Sequence, residues 1–160
     1  MANVEQFCTF YLDGHFFGVE VEKVQEVRLY QEMTRVPLAP PVFKGLINLR
    51  GQIVTAIDLR CRLGLRERGA DRLPMNVVVR TEDGVVSLLV DEIGDVLEVM
   101  EETFEPLPET LGGVSRDLVR GVHKLKGLLM LVLDTDKATS VRMLQCCSSK
   151  GESLWPTVRV

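Results

Sequence analysis

The stretch GLINLRGQIVTAIDLR, residues 45–60, contains two apolar runs separated by the dipeptide Arg50-Gly51. Glycine supplies the positive φ that a two-residue turn needs and that branched residues resist, so this pattern predicts a β-hairpin. The same pattern returns 76 residues further along the chain as GVHKLKGLLMLVLD, where Lys126-Gly127 takes the turn. One hairpin design has therefore been used twice.

A second pair of segments repeats at a spacing of 69 to 70 residues. DGHFFGVEVEKVQEV begins at Asp13 and DGVVSLLVDEIGDV begins at Asp83, and in each the Asp-Gly dipeptide is a strong hairpin signal. Two blocks in the same order, twice over, indicate a duplicated unit with repeats at roughly 7–65 and 76–140. Each half offers at least four strands, which favours a small closed barrel because closure removes exposed sheet edges.

The composition is that of a globular protein. The chain has 160 residues, of which 46% are hydrophobic and 26% are charged. It contains no apolar run near the roughly 18 residues of a membrane span, and its start lacks the features of a signal peptide, so we expect a cytoplasmic protein. We expect one domain over 1–144 and a flexible tail over 145–160. Short helices are predicted after Asp58 and Asp134, each of which can cap a helix.

The net charge of −4 is unevenly distributed. Eight Lys or Arg residues stand against three acids between Arg35 and Arg72, whereas residues 81–115 contain ten acids and no base. The basic segment raises the alternative of a nucleic-acid-binding barrel, but it lacks interleaved aromatics and belongs to a chain with a pI near 5.3. The expectation is that most of these charges lie on solvated outer faces and that nucleic acid is not a partner.

Catalytic and metal-binding patterns are sparse. The two histidines are His15 and His123, and the first repeat replaces His123 by Ile47, which favours a strand position over a base. The cysteines show no C-x-x-C, and no phosphate-binding glycine motif is present, so we expect no metal and no cofactor. The best enzymatic alternative is a thiol-dependent activity of Cys146 or Cys147. The residues favour a non-catalytic binding module.

Three segments carry a resemblance to a known family. GVEVEKVQEVR, TRVPLAPPVFKGLINLRGQIVTAIDLR and DEIGDVLEV closely resemble the CheW family of bacterial chemotaxis coupling proteins, over about Glu5 to Met143. The resemblance implies a mostly β fold of two intertwined, five-stranded SH3-like barrels with a C-terminal helix. It implies an adaptor with no enzymatic activity, no cofactor and no membrane insertion.

The resemblance also implies partners. The family joins the cytoplasmic tip of methyl-accepting chemoreceptors to the regulatory domain of the histidine kinase CheA, within arrays that include further CheW-like domains. Its barrels pair end to end, so we expect apolar residues on their outer faces. The kinase contacts lack a compact motif and are not assigned to residues. An adaptor of a related kinase array, which controls pili, gliding or another output, is the alternative.

The resemblance implies five receptor-binding residues. Arg50 belongs to the NLRG motif and Val24 to the KVQE motif, Glu26 is placed opposite Arg50, and Lys44 and Gly45 lie at the approach to a groove between the barrels.

Spacing alone leaves two of these assignments open. It also permits Arg50 as a solvated turn cation, like its counterpart Lys126. It also permits Val24 as core packing, like its counterpart Ile93.

Overall fold

The computed structural model of the chain describes residues 4–69, 71–82, 84–107 and 114–139. The predicted tail, with Cys146, Cys147 and Trp155, lies outside these residues. The strands are β1 (Val4–Leu12), β2 (His15–Glu20), β3 (Val24–Arg28), β4 (Phe43–Leu49), β5 (Gln52–Asp58), β6 (Met75–Thr81), β7 (Gly84–Val90), β8 (Glu92–Met100), β9 (Phe104–Glu105), β10 (Val119–Leu125) and β11 (Leu128–Leu133). The helices are α1 (Leu59–Arg62), α2 (Val114–Leu118) and α3 (Thr135–Thr139), with 3-10 turns at Val21–Lys23 and Glu101–Thr103.

The strands form two sheets. The first has the order β8-β1-β2-β11-β10-β9, and the second has the order β3-β6-β7-β5-β4. All four predicted hairpins are confirmed, as β1–β2, β4–β5, β6–β7 and β10–β11. The mostly β fold is confirmed as well. The first sheet has six strands where five were expected, because the two-residue β9 adds to β10.

The two repeats exchange their first hairpins. The β1–β2 hairpin of the first repeat lies between β8 and β11 of the second, and the β6–β7 hairpin of the second repeat lies between β3 and β5 of the first. The exchange produces the two parallel pairings, β2 with β11 and β5 with β7. Each sheet is therefore completed by the other repeat.

The largest core cluster joins the two sheets. Phe10 and Phe17 from the first sheet, stacked with ring centroids 5.7 Å apart, belong to the same cluster as Ile57, Val77 and Leu88 from the second. Smaller clusters lie in each sheet, one around Phe7 and Met130 and one around Ile47 and Val54. Because the largest core is shared, the two sheets pack as one unit.

His123 is a core residue on β10, as the strand interpretation predicts. Its ring is 1% exposed and packs against Phe7 and Phe104. Nδ1 lies 2.8 Å from the hydroxyl of Thr103. Burial lowers the pKa of His123, so the neutral ring is favoured and its role is packing.

Both predicted helices form, and both are short within the described residues. Asp58 caps α1 by accepting a hydrogen bond from the backbone N–H of Arg60 at 3.0 Å, and Asp134 caps α3 through the N–H of Lys137 at 3.1 Å. Helix α2 has no counterpart in the sequence prediction. Within the part of the chain that the structure describes, no helix has the length and apolarity needed to cross a membrane.

The expectation of solvated outer faces is wrong for three arginines of the basic segment. Arg60 and Arg62 are buried, at 6% and 1% exposure, and the side chain of Arg68 is 8% exposed. Arg62 donates from Nε to the carbonyl of Ala138 at 3.0 Å, so it ties α1 to α3. Buried cations need partners, and tertiary contacts supply them here.

Asp91 is the partner of the other two arginines, at the point where the chain leaves the second sheet for the first. Arg60 Nε donates to Asp91 Oδ1 at 2.8 Å while its Nη2 pairs with Oδ2, and Arg68 Nε donates to Oδ1 at 3.0 Å. The backbone N–H of Asp13, in the β1–β2 turn, donates to Oδ2 at 2.8 Å. Burial acts to raise the pKa of Asp91, but these hydrogen bonds outweigh it and lower the pKa to about 2.

We expect Arg60→Met to destabilise the protein by about 1–3 kcal/mol, because it removes two hydrogen bonds from the buried carboxylate of Asp91, which keeps Arg68 as a partner. The matched control is Arg66→Met, which removes a cation from the same network. Arg66 lies 3.0 Å from Asp13 but is 84% exposed, so solvent screens the pair and its loss should leave the free energy of unfolding close to that of the wild type. Urea unfolding measures the free energy of unfolding of each variant. An equal loss in Arg60→Met and Arg66→Met would show that the buried arginine contributes no more to stability than the exposed one.

Candidate functional site

Arg50 occupies the tip of the β4–β5 hairpin. Its φ is +54° and that of Gly51 is +85°, so both loop residues adopt the left-handed region that a type I′ turn requires. The Asn48 side chain stabilises this turn by accepting a hydrogen bond from the Gly51 N–H at 2.9 Å. The Arg50 side chain is 76% exposed. The turn therefore presents a guanidinium to the solvent.

Glu26 lies opposite Arg50, where the sequence analysis placed it. Its Oε1 is 3.8 Å from Arg50 Nη2, and its side chain is 18% exposed. Glu26 belongs to β3 and Arg50 to the β4–β5 hairpin, and β3 and β4 are the two edges of the second sheet. The ion pair thus joins opposite edges of one sheet, as closure into a barrel requires.

Arg28 forms a cluster with Glu26 and Arg50 and was not predicted from the sequence. Its Nε donates to Glu26 Oε1 at 2.8 Å, and its Nη1 lies 3.5 Å from the Gln31 side-chain oxygen. The pKa of Glu26 is lowered, and the hydrogen bond from Arg28 is the largest influence on it. Burial is the second influence and acts to raise the pKa, and the positive charge of Arg50 is the third and lowers it. The signal was present in VQEVR, because residues two apart in a strand face the same side.

Val24 lies at the margin of the largest core. It pairs with Val79 of β6, and it is half-buried against the core cluster. A shift in register separates it from Glu26 on the same strand. Beyond it the apolar side chains become exposed, with Val27 at 44% and Leu29 at 71%. Val24 thus contributes to core packing and borders an apolar surface.

Lys44 and Gly45 lie at the other end of β4, about 20 Å and about 17 Å from Arg50 along the strand, at a rise of roughly 3.3 Å per residue. Lys44 Nζ is 3.9 Å from Asp58 Oδ2. Gly45 has a φ of +156°, and a Cβ there would lie 2.7 Å from the Thr34 carbonyl oxygen. The structure thus gives both residues local structural roles, while their role in receptor binding stays a prediction.

Glu98, from the acidic residues 81–115, contributes to a cleft elsewhere on the surface. A cleft of about 480 Å³ is lined by Val4, Glu5, Gln6, Glu20, Val21, Glu22 and Glu98. It contains none of the five predicted receptor-binding residues. Within the described residues, no three His, Cys, Asp or Glu side chains are grouped to hold a metal ion. The Arg50 side chain is 76% exposed, so a macromolecular partner can reach its guanidinium.

Two small β-barrels that share a core and display both an ion pair and exposed apolar residues define a protein-recognition module. Comparison with known proteins identifies its kind. The family model described as a CheW-like domain matches residues 6–142. The chain therefore belongs to the CheW family, whose members are non-catalytic adaptors of bacterial chemotaxis signal transduction.

Individual relatives agree with this assignment. The chain is 32% identical over 136 residues to chemotaxis protein CheW of Klebsiella aerogenes, covering 85% of this chain and 82% of that protein. It is 32% identical over 135 residues to chemotaxis protein CheW of Bacillus subtilis, covering 82% and 85%. The crystal structure of the scaffolding protein TtCheW from Thermoanaerobacter tengcongensis matches with a TM-score of 0.79 at 26% identity, over 89% of this chain and 96% of that chain.

Proposed function

We propose that this adaptor binds the cytoplasmic tip of methyl-accepting chemoreceptors through the surface around Arg50, and the regulatory domain of CheA through the outer ends of its barrels. The observation that carries the receptor part is Arg50 itself, held on a left-handed turn and 76% exposed beside Glu26. A turn this constrained fixes the base of a long side chain while leaving its guanidinium accessible.

The chemistry of this surface suits a helical hairpin such as a receptor tip. An amphipathic helix binds through a few apolar anchors. Val24, Val27 and Leu29 provide apolar surface on and just after β3. The guanidinium of Arg50, whose acidic partner Glu26 lies on β3, would fix orientation, because its planar donors match carboxylate or carbonyl groups on the helix. Lys44 and Gly45 would then act indirectly, by supporting β4 from its far end.

The two repeats also present matching apolar positions for barrel pairing. Ile53 and Leu129 both lie two residues after the turn glycine, and they are 62% and 55% exposed. A single exposed aliphatic side chain is common on a protein surface, so the support for an interface is its recurrence at the same position of both repeats. We assign these positions to end-to-end contacts with CheA and with further CheW-like domains in array rings.

The site of action follows from the partners. The adaptor works in the cytoplasm and joins arrays at the membrane by binding receptors, without inserting into the bilayer. The relatives in Klebsiella aerogenes and Bacillus subtilis are chemotaxis proteins, which supports chemotaxis over pili or gliding as the output. Burial of Arg60, Arg62 and Arg68 removes much of the basic segment from the surface, which argues against a nucleic-acid partner.

We expect Arg50→Ala to weaken binding to the cognate receptor's cytoplasmic domain by about tenfold or more, as for an interface hot spot. The matched control is Lys126→Ala, which removes the turn cation of the second repeat and should leave this affinity unchanged. Calorimetric titration of the receptor fragment measures both variants. Equal affinities of the wild type and Arg50→Ala, or equal losses in the two variants, would contradict the assignment.

We expect Ile53→Ser and Leu129→Ser each to weaken binding to the CheA regulatory domain, because each removes an apolar contact from a barrel end. Loss of one such contact is typically worth about 1–3 kcal/mol. Leu73→Ser is the control, since Leu73 is 65% exposed but lies in the loop before β6. Equilibrium sedimentation measures the affinity of each variant for the CheA regulatory domain. If Ile53→Ser and Leu129→Ser bound this domain as tightly as Leu73→Ser, the assignment would be wrong.

A further inference from the structure

We infer that Arg28 is a positioning residue, which keeps Arg50 available to a partner by holding the carboxylate of Glu26. The inference rests on the proposed role of Arg50 and deepens it. Arg28 need not touch the receptor to act in this way. Its effect would pass entirely through Glu26.

One carboxylate oxygen serves two guanidinium groups in this cluster. Glu26 Oε1 accepts a hydrogen bond from Arg28 Nε at 2.8 Å, whereas Arg50 Nη2 stays 3.8 Å away. The first distance is that of a charge-assisted hydrogen bond, and the second is beyond hydrogen-bonding range. Arg28 therefore satisfies Glu26 most strongly, and Arg50 takes part only through its charge.

Exposure points the same way. The side chains of Glu26 and Arg28 are 18% and 30% exposed, and that of Arg50 is 76% exposed. Within the residues that the structure describes, the ion pairs of Glu26 are those with Arg28 and Arg50. The three side chains carry a net charge of +1. The inner pair cancels, so the uncompensated positive charge lies on the exposed Arg50.

Removal of Arg28 would change the partner of Glu26. Glu26 would lose its main hydrogen-bond donor and keep the weaker contribution of the Gln25 side chain, so a half-buried carboxylate would gain from a second cationic donor. Arg50 is the cation within reach, and its long side chain needs to move about 1 Å to form a direct hydrogen bond. A receptor would then have to compete with Glu26 for Arg50. Arg28 thus determines whether Arg50 faces outward or folds back.

The free protein gives the first test. Phenylglyoxal modifies accessible arginines, and peptide mass spectrometry measures the rate at Arg50 relative to the exposed Arg66. We expect Arg28→Gln to slow modification of Arg50, and Glu26→Gln added to that variant to restore the rate. Arg28→Lys should stay near the wild-type rate, because an ammonium still neutralises Glu26. Arg120→Gln, which removes a similar 2.8 Å bond to Glu20, is the control and should change nothing.

Receptor binding gives the second test. We expect Arg28→Gln to weaken binding of the receptor's cytoplasmic domain by about fivefold, and to have no effect when Glu26 is already Gln. An unchanged Arg50 modification rate in Arg28→Gln, or an equal loss of affinity in the Glu26→Gln background, would overturn the inference. If Arg28→Gln does not fold, Arg28→Met replaces it with the same expectations.

The experiments distinguish receptor binding through Arg50 from positioning of Arg50 by Arg28. If the wild type does not bind the receptor, or Arg50→Ala binds equally well, the receptor assignment is wrong and the modification rates still decide whether Arg28 positions Arg50. If Arg50→Ala loses affinity while Arg28→Gln keeps both its affinity and its modification rate, only the role of Arg28 is wrong.

Discussion

The pair formed by Arg60 and Asp91 joins the two barrels at the point where the chain passes from the second sheet to the first. Asp91 follows β7 of the second sheet and precedes β8 of the first, and it also accepts the N–H of Asp13 in the β1–β2 turn. Arg60 lies just after β5, in the helix capped by Asp58. Replacing a buried ion pair by apolar residues is often tolerated, so our hypothesis is that this pair contributes mainly by favouring one arrangement of the exchanged hairpins.

The position of the proposed receptor-binding surface depends on that exchange. Glu26 lies on β3, which pairs with β6 of the other repeat, and Arg50 lies on the β4–β5 hairpin, which pairs with β7 of the other repeat. The distance between Glu26 and Arg50 is therefore set by strands that belong to neither side chain's own repeat. The arginines and aspartates around Asp91 are buried, whereas Arg50 is exposed.

Local signals predicted the hairpins well, because Asp-Gly, Arg-Gly and Lys-Gly dipeptides between apolar runs specify turns by themselves. The exchange of hairpins was implied by the family resemblance only. Because the two repeats have similar sequences, each first hairpin could pair with the strands of its own repeat or with those of the other, and local signals do not distinguish the two pairings. The burial of Arg60, Arg62 and Arg68 was missed because it depends on distant partners, Asp91 and the carbonyl of Ala138. Arg28 was missed although strand alternation placed it beside Glu26.

Coupling of receptor to kinase through Arg50 is tested by measuring CheA autophosphorylation in a mixture of receptor-containing membranes, CheA and this protein, with and without attractant. The account predicts that the wild-type protein raises kinase activity, that attractant lowers it again, and that Arg50→Ala supports neither effect while remaining folded. Full receptor-dependent activation and attractant control with Arg50→Ala would contradict an adaptor that works through the tip of the β4–β5 hairpin.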